Sequence, residues 1–97
     1  MIDREAVKRR AEVLKALAHE SRLLMVHRLG DGECTAGELV ELVGSDASTV
    51  SKHLALLRHH GIVADRREGS HVVYSLRTPC VLEFFGCATR VIEAFPK

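Results

Sequence analysis

Ser48-Thr49-Val50-Ser51-Lys52-His53-Leu54-Ala55-Leu56-Leu57-Arg58-His59-His60 is the stretch that decides the fold. Wound at about 100° per residue, it puts Val50, Leu54 and Leu57 on one side, where they pack inward. Ser48, Lys52, Ala55 and His59 fall opposite, flanked by Thr49, Ser51 and His53. The pattern predicts a helix over 47–60, with Asp46 as N-cap and Gly61 as its stop. Its outer N-terminal half shows hydroxyls, an ammonium and an imidazole, with no bulky apolar group. Hydroxyls can donate or accept at base edges, and a lysine can reach guanine or a phosphate. Ser48, Thr49, Ser51, Lys52 and His53 are therefore candidate contacts to a DNA major groove. The helix N-terminus would add free N–H groups for phosphate.

Just upstream, Thr35-Ala36-Gly37-Glu38 fits a capping box. It predicts a short helix over 36–43 that buries Leu39, Leu42 and Val43, with Gly44 as a left-handed end. Two short helices joined by a tight turn containing glycine are a helix-turn-helix pattern. Downstream, 62–67 and 72–76 are β-branched runs separated by Glu68-Gly69-Ser70-His71, which reads as a hairpin. Arg66, Arg67 and His71 flank its turn, so the hairpin would be a wing against backbone phosphate or an adjacent minor groove.

Two helices precede this unit, over 3–18 and 20–29, the second stopped by Gly30-Asp31-Gly32. A last helix is expected after Thr78 as N-cap, with Pro79 at its first position. It carries Val81, Leu82, Phe84, Phe85, Ala88, Val91, Ile92 and Phe95, more apolar surface than one helix of a small domain hides internally. The fold class is thus mainly α with a two-stranded β-wing: one winged helix-turn-helix domain over 1–97, dimerising through its first and last helices.

Composition agrees. The chain has 97 residues, 46% apolar and 28% charged, with net charge +1. That excludes a disordered chain and a large cofactor-dependent enzyme. The longest stretch free of Asp, Glu, Lys and Arg is Gly69 to Leu76, too short to span a membrane, and the N-terminus lacks a secretory apolar segment. A cytoplasmic location, no membrane partner and no constitutive cofactor are expected. The charge is uneven: five acids and no Lys or Arg lie in 29–46, and five Lys or Arg against two acids in 47–77. No Ser/His/Asp order, phosphate loop or paired-carboxylate motif points to catalysis.

The run Ser48 to Arg58, then Gly61-Ile62-Val63, Arg66-Arg67-Glu68-Gly69 and Tyr74-Ser75-Leu76, resembles the ArsR/SmtB family. Upstream, Leu14-Lys15-Ala16-Leu17-Ala18-His19-Glu20-Ser21-Arg22-Leu23 is similar to that family's LKALADPTRL signature, with His19-Glu20 in place of Asp-Pro. The resemblance covers nearly the whole chain. It implies a homodimeric repressor that binds a double-stranded DNA operator when free and releases it when a metal ion, metalloid or other inducer binds.

Three cysteines, read as reduced thiols, are the candidate inducer ligands: Cys34, Cys80 and Cys87. The family's arsenic-type Cys-Val-Cys motif is absent, since Thr35-Ala36-Gly37-Glu38-Leu39 stands there. The zinc-type Asp-x-His and His-x-x-His motif is also absent, apart from Cys80 at one ligand position. Three thiols without clustered Asp and His favour a soft inducer, As(III) or Sb(III) foremost. Thiol-redox or polysulfide sensing comes next, then a transition metal. The plain alternative is that the three are small apolar packing residues. On one helix Cys80 and Cys87 would share a face but lie roughly 10 Å apart, too far for one ion. Across a two-fold axis, Cys80 of one subunit could face Cys87 of the other, and Cys34 could approach either.

Overall fold

The computed structural model describes residues 1–95. Helix α1 (Arg4–Leu17) begins where the Asp3 carboxylate accepts from the N–H groups of Glu5 and Ala6. Helix α2 (Glu20–Leu29) begins at His19, whose Nδ1 accepts from the Ser21 N–H at 3.1 Å. Strand β1 (Cys34–Thr35) leads into α3 (Ala36–Val43). The capping box forms: Glu38 N–H donates to Thr35 Oγ1, and Thr35 N–H donates to Glu38 Oε1 at 2.9 Å. Gly44 closes α3 at φ 78°, a left-handed turn that favours glycine. Helix α4 (Ala47–His59) follows, with Asp46 accepting from the Thr49 N–H at 2.7 Å.

Strands β2 (Val63–Glu68) and β3 (His71–Leu76) form an antiparallel hairpin in register Val63↔Leu76 to Glu68↔His71. Its turn is only Gly69-Ser70, with Gly69 at φ 64°, so Glu68 and His71 belong to the strands rather than to the turn. The sheet has three strands, not two, in the order β1-β3-β2. Cys34 pairs with Tyr74 and Thr35 with Val73, so the short edge strand ties the start of α3 to the wing.

The end of the chain departs from expectation. Thr78 makes no side-chain cap, and Pro79–Leu82 wind as a 3₁₀ turn before α5 (Glu83–Ala94). The tighter turn is fixed by the Val81 N–H donating to the Thr78 carbonyl, and it seats Val81 in the core. Cys80 therefore lies in this turn, and only Cys87 lies on the α-helix.

The core is built from Leu17 of α1, Met25, Val26 and Leu29 of α2, Leu39 of α3, Val50, Leu54 and Leu57 of α4, and Ile62 and Val63. Leu42, expected inside, is exposed. The inner face of α3 centres on Leu39, Val40 and Val43, and Leu42 falls more than a quarter-turn away. No residue of α5 is buried: Val91, Ile92 and Phe95 are 63%, 67% and 79% exposed. On α1, Val7 and Leu14 are exposed as well. Among the described residues no helix is long and apolar enough to cross a membrane.

Candidate nucleic-acid interface

Burial of Val50, Leu54 and Leu57 fixes the roll of α4. Ser48, Thr49, Ser51 and Lys52 are consequently all exposed along one outer face. Lys52 makes no ion pair among the described residues, so its ammonium is available. The helix N-terminus is less available than expected. The Asp46 carboxylate occupies it, and hydrogen bonds from Thr49, then Ser48, hold its pKa below the usual carboxylate range.

His53 is placed differently from its expected role. It is half-buried between α4 and α2, and its Nδ1 lies 3.1 Å from Arg22 Nη1. Its ring centroid is 4.4 Å from that of His19. Burial first, then the charges of His19 and Arg22, push its pKa down. Its angle on the helix, well round from Lys52 towards the core side, explains the placement. The side chain reads the neighbouring helix rather than pointing straight into a groove.

The wing divides its two arginines between opposite faces, because adjacent strand residues alternate. Arg66 donates from Nη2 to Glu33 Oε1 at 3.0 Å and from Nε to Glu68 Oε2 at 2.9 Å. Both carboxylates hold it charged, and its hydrogen bond lowers the Glu33 pKa. A DNA phosphate would have to displace these partners, and a bidentate arginine shared by two carboxylates yields less readily than a lone exposed pair. Arg67 makes no ion pair among the described residues and is exposed, as is His71. On the Arg67 face, Arg58 at the end of α4 pairs with Asp65 at 2.8 Å and ties helix to wing.

The thiols separate into two settings. Cys34 is 2% exposed, and burial, its largest influence, raises its pKa, so it sits as a neutral thiol in the core. It could reach an ion only if the β1–β3 edge opened. Cys80 and Cys87 are exposed. Arg90 Nη2 lies 3.7 Å from Cys87 Sγ. No three His, Cys, Asp or Glu side chains gather to hold a metal among the described residues, so the three cysteines form no site within one subunit.

Sequence reasoning singled out the face of α4 and the wing but not Arg22. Its role depends on a contact between residues 31 apart, which no local pattern carries.

A helix-turn-helix domain family matches residues 10–66. The uncharacterized HTH-type transcriptional regulator Rv0081 of Mycobacterium tuberculosis is 36% identical over 86 residues, 88% of this chain and 75% of the relative. Its crystal structure matches with TM-score 0.80 and 34% identity, over 92% of this chain and 90% of that one. The homodimeric winged helix-turn-helix DNA-binding domain Mb0332 of Mycobacterium bovis matches with TM-score 0.78 and 30% identity, over 96% and 88% of the two chains. The transcriptional repressor BigR of Xylella fastidiosa matches with TM-score 0.75 and 32% identity, over 93% and 96%.

Proposed function

Because the chain belongs to the ArsR/SmtB-type family of winged helix-turn-helix transcriptional regulators, we propose that it acts as a homodimeric repressor of a partly palindromic operator. Each subunit lays α4 in a major groove, where Ser48, Thr49 and Ser51 meet base edges and Lys52 meets guanine or phosphate. Arg67 and His71 of the wing take the flanking backbone, and Arg66 joins once phosphate displaces its carboxylates. The observation that carries this reading is the polar, exposed outer face of α4 held over a fully buried inner face.

The second copy covers α5, the helix with no fully buried residue, of which only Phe85 packs part-buried against its own subunit's core. The homodimeric Mycobacterium bovis relative supports that assembly. Cys80 and Cys87 lie at this unburied end of the molecule. One 3₁₀ turn and one α-turn separate them by roughly 12 Å, whereas two thiolates on one soft ion sit at most about 4.6 Å apart. Antiparallel pairing of the last helices near Glu83–Phe84 would instead put Cys80 beside Cys87 of the partner subunit. The inducer is As(III) or Sb(III) bound there. It releases DNA because it binds the dimer geometry in which the two α4 helices no longer match successive grooves.

Arg90 beside Cys87 favours a second inducer for the same site. A guanidinium next to the sulfur suits its attack on a polysulfide. The two thiols would lose their protons and an electron pair to join through sulfur, and the polysulfide would take the pair and leave as hydrosulfide.

The test is operator anisotropy of the reduced dimer titrated with As(III), alongside native mass spectrometry with As(III), Zn(II) and a polysulfide in turn. Cys80→Ser and Cys87→Ser should each bind DNA as wild type does and lose release. Release by As(III) that survives both variants would move the sensor elsewhere. A mass gain and release with polysulfide alone would select the second inducer.

A further inference from the structure

We propose that His19, Arg22 and His53 form a phosphate anchor that holds the operator backbone beside α4. This rests on the reading that α4 enters DNA. Tautomers make the case. His19 Nδ1 accepts from a backbone N–H, so it carries no proton. His53 Nδ1 faces Arg22 Nη1, and a guanidinium can only donate, so that nitrogen is also unprotonated. Both rings therefore keep their proton on Nε2. Neither Nε2–H has a protein partner among the described residues. The two rings lie 4.4 Å apart, and His19 is exposed. Two donors without protein partners among the described residues thus lie close together beside the recognition helix, one of them on the exposed His19.

Arg22 adds its guanidinium charge beside the two rings. Its Nε is buried and has no hydrogen-bond partner. The cluster has no carboxylate to neutralise it. The groups that act on His53 are His19 and Arg22, both from the α2 side. Glu20, next in sequence to His19, makes no hydrogen bond or ion pair with the cluster. On α1, Glu12 and Lys15 line a separate hollow with Leu56 and His60. On α3, Glu38 is committed to its capping box, and Glu41 is exposed and makes no ion pair. A guanidinium and two N–H groups without a protein partner or a carboxylate counter-charge among the described residues suit an anion. On a DNA-reading face that anion is a backbone phosphate.

The anchor has a direction in pH. In the free protein, burial first, then the neighbouring His19 and Arg22, disfavour protonated His53. A bound phosphate favours it: the added proton sits on Nδ1, releases Arg22 Nη1 from the ring to the phosphate, and binding takes up a proton. Operator affinity should rise as pH falls through the histidine range. It should level once His53 is protonated without DNA.

The experiment measures the affinity of the full chain for a duplex enriched by wild-type protein from a random-sequence library, from pH 8 to pH 6 at constant salt. His19→Asn keeps a capping acceptor, and His53→Gln keeps an acceptor for Arg22; both remove an imidazole. Wild-type affinity should tighten about three- to tenfold over that range. The double variant should lose most of that gain and bind several-fold more weakly at pH 6, with an unchanged melting temperature and unchanged base preference. A pH dependence equal in wild type and double variant would overturn the anchor, as would affinity that falls on acidification in both. Failure of the wild type to enrich any duplex would instead sink the DNA reading itself, which Lys52→Ala on the same duplex tests separately.

Discussion

At the scale of single residues, availability distinguishes the cations of the interface better than identity does. Lys52 and Arg67 stand without ion partners among the described residues, whereas Arg66 is shared by Glu33 and Glu68. Lys52→Ala and Arg67→Ala should therefore weaken binding to all duplexes. Each should flatten the slope of log affinity against log salt by about one per subunit. Arg66→Ala should do less, because in wild type two carboxylates must first be displaced. Titrations at several salt concentrations check this, and equal losses for Arg66 and Arg67 would show that the carboxylates yield freely. The exposed face of α4 was legible in the sequence because helix angle alone sorts Ser48, Thr49, Ser51 and Lys52 from the buried Val50, Leu54 and Leu57. His53 was not. Its angle leaves it between the two faces, and the arginine that claims it comes from another helix.

At the scale of elements, the helix ends written in neighbouring residues were readable, and those written at a distance were not. The bounds of α3 follow from Thr35, Glu38 and Gly44 alone, and the start of α4 from Asp46. Strand β1 is two residues long and exists only by pairing with β3, about 40 residues on. The 3₁₀ turn over Pro79–Leu82 likewise reflects Val81 settling into a core made elsewhere. Asp46 gives the recognition helix a stability that depends on pH. Its folded pKa is depressed, so its contribution is present above the ordinary carboxylate range and is lost as pH falls through the depressed value. Asp46→Ala should melt below wild type at pH 7, and the gap in Tm should narrow as pH is lowered beneath the ordinary carboxylate range. A gap that stays constant under acid would mean that the carboxylate charge does not support α4.

At the scale of the molecule, the proposed dimer rests on the unburied face of α5. Val91→Glu or Ile92→Glu places a charge where a second copy should sit. Either should yield a folded monomer by sedimentation at micromolar concentration, with operator affinity reduced a hundredfold or more as two linked contacts become one. A variant that stays dimeric would put the interface on another surface. The bareness of that helix also bears on dosage. If the subunits fold completely only by covering each other's last helix, thermal stability rises with the amount of protein present. Where dissociated subunits predominate, the species able to span both half-sites grows as the square of the chain concentration. Halving synthesis would then cut the operator-competent form about fourfold, a threshold set by four exposed side chains: Phe84, Val91, Ile92 and Phe95.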